Sequence, residues 1–320
     1  MRQFEVYLRK DLRLLISEAF LPIVVMLAAA ICLIFAFFAS NAYASSVHAN
    51  YNWASYTPPS PSEMLLLQRS SLGAYWISVL SPLSLLILVV SCLSLTGERE
   101  SGMVKYILTY RKGGSAFIAS KFVTLVLISM MFSFISLLAY LLILSLTGGI
   151  VLGADALLIS LVFPTLLFIT LSSLGLFVST LVRKKHVVAV AGVLIFLIIT
   201  AIMGSVLDSG MASAQNEFTE THESLGMTNA QMRELFPSGS KMLVSANPMI
   251  LQQGLFVALN LSGADQDTVA WGTFALYGLD YYLAYAAVAT AGFFLAALIS
   301  FRRERSDEHI VHLQSRQYSD

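Results

Sequence analysis

The chain has 320 residues, 57% of them hydrophobic and only 12% charged, and its 19 Lys and Arg are balanced by 19 Asp and Glu. Soluble domains carry about 25% charged residues, so an ordinary soluble core is excluded, and no nucleic-acid partner is expected.

Residues 2–14 have the pattern of an amphipathic helix. Phe4, Tyr7, Leu8 and Leu12 share one face and Glu5, Arg9 and Arg13 another. Such a helix lies flat in the membrane interface with its arginines toward anionic headgroups, which makes 1–15 an elbow before the first span. Six apolar runs follow, at about 16–39, 74–96, 117–147, 155–182, 187–207 and 276–301. Crossing a bilayer takes ~20 apolar residues. Hydrocarbon offers no partner to an open backbone group, so each run must be a helix. Ala42-Tyr43-Ala44 has the form of a cleavage site. The apolar run before it exceeds the roughly 7–15 residues of a signal core, so the first span is expected to be retained.

The connections read as follows. Residues 40–73 form an outer segment whose Thr57-Pro58-Pro59-Ser60-Pro61 stretch resists regular structure, and Glu63–Leu72 is expected to be a short surface helix. Residues 97–114 are polar and amphipathic between two oily runs. Gly148-Gly149 and Gly153 mark a short outer turn, and Arg183-Lys184-Lys185-His186 a short inner one. The outer segment 208–275 is the longest connection. Thr228–Gln231 has capping-box form, with a stop at Pro237 and Gly239. Asn247-Pro248 reads as a helix start, Asn as N-cap and Pro as first helical residue. The apolar residues 249–261 are too few to cross, so a re-entrant or interfacial helix is expected before the last span. Asn260-Leu261-Ser262 is a glycosylation sequon only by spacing. Pro82 and Pro164 fall inside spans two and four and are expected to kink or break them, whereas Pro22 marks a helix start. The last span is rich in small residues, among them Ala284, Ala287, Ala291 and Gly292, which let helices approach closely in lipid.

Orientation follows from charge. With the N-terminus inside, 16 of the 19 Lys and Arg fall on the inner segments, leaving only Arg69, Arg233 and Lys241 elsewhere. The positive-inside rule then places both termini in the cytosol, with 302–320 as a cytosolic tail. Trp53, Trp76 and Trp271 and the tyrosines 75, 277, 281 and 282 fall toward the outer side, as an interfacial aromatic belt would. Cys32 and Cys92 sit within spans and read as small core residues.

Chemistry is mostly absent. No span has a charged residue near its middle, which disfavours an ion-coupled carrier or a charge-lined pore. There is no phosphate-cradling G-x-x-x-x-G-K-[ST], and the histidines 48, 186, 222, 309 and 312 form no metal set. No catalytic residue and no metal or cofactor site is expected in the chain.

At Glu98–Lys121 the order Glu-Arg-Glu-x-Gly-x5-Leu, with Lys121 opening the next span, resembles the first cytosolic loop of type 2 ABC exporter permeases. Glu98, Glu100, Gly102 and Lys121 match that family's pattern, Leu108 and Thr109 match loosely, and Met103 stands where Thr is usual. Lys10-Asp11, Leu174–Leu181 and Ser245–Pro248 resemble its N-terminus, its fourth span and its outer segment. The resemblance implies one membrane domain over 1–320, an all-α polytopic protein of the cell membrane. It would pair with a second permease subunit, identical or not, and with two ATP-binding subunits, which hold the ATP and Mg. Glu98–Tyr110 would be the coupling helix in a groove of the ATPase. Met103, Tyr106, Ile107 and Tyr110 would form its apolar stripe, with Glu98, Arg99, Glu100 and Lys105 as charge pairs and Gly102 for close approach. Arg183, Lys184 and Lys185 would make a smaller second contact. A secondary carrier or channel and an intramembrane enzyme are the alternatives.

Overall fold

Runs of some thirty Leu, Ile, Val, Phe and Ala residues leave the backbone no partner but itself, and helices are the result. The structure is a computed structural model describing residues 2–17, 20–51, 59–100, 102–104, 107, 113–147, 149–221, 229–259 and 276–317. Side chains at 2, 12–17, 20–21, 113, 220–221, 229–230 and 304–317 lie outside that description. The helices are α1 (Arg2–Ser17), α2 (Phe20–Ala49), α3 (Pro61–Glu100), α4 (Gly113–Thr147) and α5 (Ala154–Leu181). They continue with α6 (Lys185–Thr221), α7 (Asn229–Leu235), α8 (Ser238–Ser245), a 3-10 turn (Pro248–Ile250), α9 (Leu251–Ala258) and α10 (Leu279–Gln317). No strand occurs among the described residues. Six helices are long and apolar enough to cross a membrane: α2 to α6 and α10. The chain is thus an all-helical, multi-pass membrane protein.

The first turns of α4, the middle of α1 and the ends of α3 and α5 meet at one end of the bundle, here called the basic end. α5 and α3 are central, with 56% and 50% of their most apolar windows buried, against 22% for α6 and 11% for α10. α1 is a separate amphipathic helix. Its Tyr7 ring meets Phe117 of α4 edge-on at 5.7 Å, and Glu5 and Arg9 pair on its exposed face.

Several expected boundaries move. Residues 40–49 continue α2, and 63–72 are the first turns of α3 and not a separate surface helix. The reason is that Ser, Ala and Gln residues there still supply a buried face: Ser40, Tyr43, Gln68, Ser71 and Leu72 are all buried. α3 therefore runs 40 residues, about 60 Å at ~1.5 Å each and twice the ~30 Å hydrocarbon core. α3 and α5 continue unbroken through Pro82 and Pro164. The aromatic belt is also corrected. Tyr75, Trp76 and Tyr282 are fully buried, because they face neighbouring helices. Tyr75, for example, shares hydrogen bonds of 2.7 and 2.8 Å with the Ser136 hydroxyl and carbonyl. Trp53 and Trp271 lie outside the described residues.

At the end opposite the basic one, Gln68 closes the bundle. Its Nε2 donates to the Gly149 carbonyl at 2.8 Å and to the Tyr43 hydroxyl at 3.2 Å. Its Oε1 accepts the Val151 N–H at 2.8 Å. Gly149 has φ 75°, a left-handed turn that suits glycine. Gln68→Leu strands both backbone groups and is expected to cost about 2–4 kcal/mol, read as a lowered midpoint of thermal unfolding in detergent micelles. Gln68→Glu, which keeps the acceptor, should fall between the two.

The segment before the last span is built from short helices. Asn247 caps the 3-10 turn: its Oδ1 accepts the Met249 N–H at 2.9 Å, and its Nδ2 donates to the Ile199 carbonyl of α6 at 2.7 Å. Pro248 sits at the first helical position. Ile199 is fourteen residues past Lys185, about 21 Å along α6 at ~1.5 Å per residue, so Asn247 ties the short helices to the middle of α6. The buried Gln253 accepts the Leu276 N–H at 3.2 Å and the Tyr282 hydroxyl at 3.1 Å at its Oε1.

Candidate functional site

The apolar stretches 22–47, 70–97, 122–154, 156–182, 186–207 and 281–301 contain no Asp, Glu, Lys or Arg. Among the described residues no group of His, Cys, Asp and Glu could hold a metal ion. A half-open crevice of about 420 Å³ runs along α10, lined by Phe122, Leu166, Ala287 and Phe294 among others. One hydroxyl pair, Thr170 with Thr290 at 3.0 Å, bridges α5 and α10 beside it. The spans offer an apolar surface and hydroxyls, and no charge-bearing binding site.

Charge concentrates instead where α3 ends. Three consecutive residues of its last turn leave in three directions. Glu98 Oε1 lies 2.7 Å from Lys121 Nζ of α4 and 3.0 Å from Lys10 Nζ of α1. Lys121 Nζ also lies 2.8 Å from Asp11 Oδ1 of α1, and the Ser120 hydroxyl donates to Asp11 Oδ2 at 3.1 Å. Two ammoniums and two carboxylates thus form a neutral cluster. Its centre, Lys121 with Asp11, is 9% and 2% exposed at the side chains. Burial on that scale demands pairing, because an isolated charge removed from water costs several kcal/mol. Lys121 further sits over the Phe117 ring, 5.5 Å from its centroid.

Arg99 turns the other way. Its Nη1 donates to the carbonyls of Ser179 at 2.8 Å and Val182 at 3.2 Å, and its Nη2 to that of Thr180 at 3.1 Å. These carbonyls end α5, where a helix leaves its last C=O groups without intrahelical partners and carries partial negative charge. A guanidinium, with donors spread over a planar fork, can satisfy three at once. Glu100 Oε1 accepts the N–H of Lys185, the first residue of α6, at 2.9 Å. An anion there complements the positive end of the helix dipole.

After Glu100 the helix stops. Gly102, at φ 74°, makes the turn, in a backbone region that costs non-glycine residues about 1 kcal/mol or more. A second short helical stretch holds Met103, Val104 and Ile107. The expected single helix Glu98–Tyr110 is therefore interrupted: 98–100 are the end of α3, and Met103, Val104 and Ile107 are helical beyond the glycine. Two residues of the expected apolar stripe, Met103 and Ile107, turn toward the bundle. Ile107 is 3% exposed and Val104 4%, both in the bundle's own core, and Met103 is packed against it. Apolar residues at helical spacing beside a greasy bundle bury against it first, since that removes them from water without a partner. Lys105, Tyr106 and Tyr110 lie outside the described residues.

Arg183 and Lys184 are exposed in the three-residue turn 182–184, and Lys185 opens α6. Asn247 and Pro248 stand far from this cluster along the chain, at the start of the short helix described above. Reading the sequence singled out Glu98–Glu100 and Lys121 but not what binds them. Asp11 and Ser120 went unmarked as partners, although a carboxylate one residue from Lys10 and a hydroxyl beside Lys121 were available signals. For the carbonyls of 179–182 a sequence holds no signal, because they are backbone.

A family model described as ABC-2 family transporter protein matches residues 6–304. Comparison with curated proteins gives no match.

Proposed function

The chain belongs to the ABC-2 family of transporter proteins; starting from there, we propose that it is the permease subunit of an ATP-driven exporter, moved by a separate ATPase through residues 98–110. The observation that carries this reading is the last turn of α3. Glu98, Arg99 and Glu100 tie one polar lever to α1, α4, α5 and α6. A cytosolic motor needs such a point, where a push on one segment reaches most of the bundle.

In this reading the basic end and both termini are cytosolic, in a cell membrane. Of two copies of an ABC ATP-binding subunit, carrying ATP and Mg, one seats against the segment after Gly102 in each permease subunit. Lys105, Tyr106 and Tyr110 supply the docking side chains together with Met103, while Ile107 anchors the segment to the bundle. Arg183, Lys184 and Lys185 form a second, smaller contact. A second permease subunit completes the path. Closure of the ATPases on ATP pushes the lever, the helix bundles tilt, and the path between them opens alternately to the two sides. Uncharged walls suit an apolar or amphipathic cargo that slides without being held by a fixed charge. Outward transport follows from the resemblance of the Glu98–Lys121 pattern to exporter permeases.

Capture of the motor tests the reading. A photo-crosslinking residue at position 106, in the chain co-expressed with an ABC ATP-binding subunit, should trap that subunit, whereas one at position 46 should not. Equal capture at both positions, or at neither, would sink the docking assignment. Orientation has its own test on intact cells, in a background lacking Cys32 and Cys92. A cysteine at exposed Gln215 should react with an impermeant maleimide, and one at exposed Lys184 only after permeabilisation. The reverse pattern would invert the topology.

A further inference from the structure

Val182, in the turn 182–184, packs against an apolar cluster that holds Leu88 and Cys92 of α3; nearer its own end, α3 reaches the two helix ends with the polar side chains of Arg99 and Glu100. Arg99 holds the last carbonyls of α5 through three hydrogen bonds, and Glu100 holds the first N–H of α6 through one. The turn between those helices is three residues long, so both of its ends are gripped from one turn of α3. The same turn carries Glu98, which grips α4 through Lys121. We propose that Arg99 and Glu100 are positioning residues that make α5 and α6 move in step with α3 and α4. A displacement delivered beyond Gly102 would then reach the second cytosolic turn from within the permease. This rests on the reading of the post-Gly102 segment as the ATPase seat.

The chemistry favours transmission over a loose contact. A guanidinium bonded to three carbonyls on one helix end resists both sliding and rotation, because every displacement lengthens at least one bond. A lysine at the same place would keep the charge but lose the fork. Arg99 and Glu100 also have opposite signs, matched to the negative C-terminus of α5 and the positive N-terminus of α6. Exchanging the two residues should therefore fail even though composition and net charge are kept.

The test uses the full chain in lipid nanodiscs, alone and then assembled with an ABC ATP-binding subunit, and reads backbone hydrogen exchange. In the free chain, Glu100→Ala should speed exchange at the Lys185 amide about tenfold, since a bond to a charged acceptor is lost. Arg99→Gln should speed exchange across 178–185. Wild-type exchange in both variants would overturn the clamp, whatever the ATPase does. In the assembled complex, ATP with vanadate should alter exchange in 113–123 and in 180–190 together. With Arg99→Gln only the first stretch should respond, and Arg99→Lys should restore part of the second response. A response at 180–190 that survives both Arg99→Gln and Glu100→Ala would refute the proposal. If the ATPase leaves residues 102–110 unprotected in the wild type, the docking assignment fails instead, and the free-chain measurement still decides the clamp.

Discussion

Lys121→Met is expected to lower the stability of the membrane domain by about 3 kcal/mol, the lower end of what breaking a buried ion pair costs. The substitution leaves Asp11, whose side chain is 2% exposed, without its ammonium, and takes the Lys121 ammonium from Glu98. The loss comes from the stranded carboxylate more than from the missing attraction, and that distinction is measurable. Asp11→Asn with Lys121→Met removes both charges and should recover about half of the loss, a coupling of the size seen for contacting residues. The shift of the SDS-unfolding midpoint in mixed micelles reads each corner of the cycle. Additive effects would mean that the two groups do not share an ion pair. Glu98→Lys belongs to the same argument. It would set a third ammonium against Lys10 and Lys121, so its effect on coupling could not be separated from damage to the fold.

Gly175→Leu is expected to be the most damaging single change in the bundle. A Cβ built at Gly175 would lie 2.6 Å from Ser91 Cβ, 3.0 Å from the Leu88 carbonyl and 3.1 Å from the Cys92 nitrogen. Two of those three atoms are backbone, so no rotamer change relieves the contact, and α3 and α5 must separate. These are the two most buried spans. Even Gly175→Ala should cost about 1–3 kcal/mol, the usual penalty of overpacking. The leucine variant should fail to reach the membrane in a folded form, as judged by recovery of monodisperse protein after detergent extraction. Gly175→Ala with Ser91→Gly removes the nearer clash and should recover part of the loss. A fully stable Gly175→Leu would mean that the two helices do not cross here. Gly192 meets Cys92 more gently, with a built Cβ 3.0 Å from the sulfur. The sulfur is the end of a side chain that can turn, so Gly192→Ala should be the milder of the two.

The reach of the sequence can be judged residue by residue. The six spans were legible because hydrocarbon enforces length and composition, and neither depends on where the neighbours are. The cap at Asn247-Pro248 was legible because a helix start is a local event within three residues. The extent of α2 and α3 was not, because Ser40, Tyr43, Gln68 and Ser71 look like loop residues until their partners appear. The burial of Tyr75 and Trp76 was hidden for the same reason: an amphipathic ring suits an interface or a core pocket equally well.

The sequence by itself determined the class of the protein: an all-helical membrane domain with its positive charge gathered at one end and a polar segment at 97–114 set apart from its surroundings. It could do so because solvation in lipid acts on each segment separately. Only the tertiary structure decided what that segment grips and which way its side chains face. Lys121 finds Asp11 across 110 residues, Glu98 finds Lys121 across 23, and Arg99 finds the Ser179 carbonyl across 80. A charge near the membrane must be neutralised somewhere, but the rule that demands a partner does not name it; the packing of the helices does.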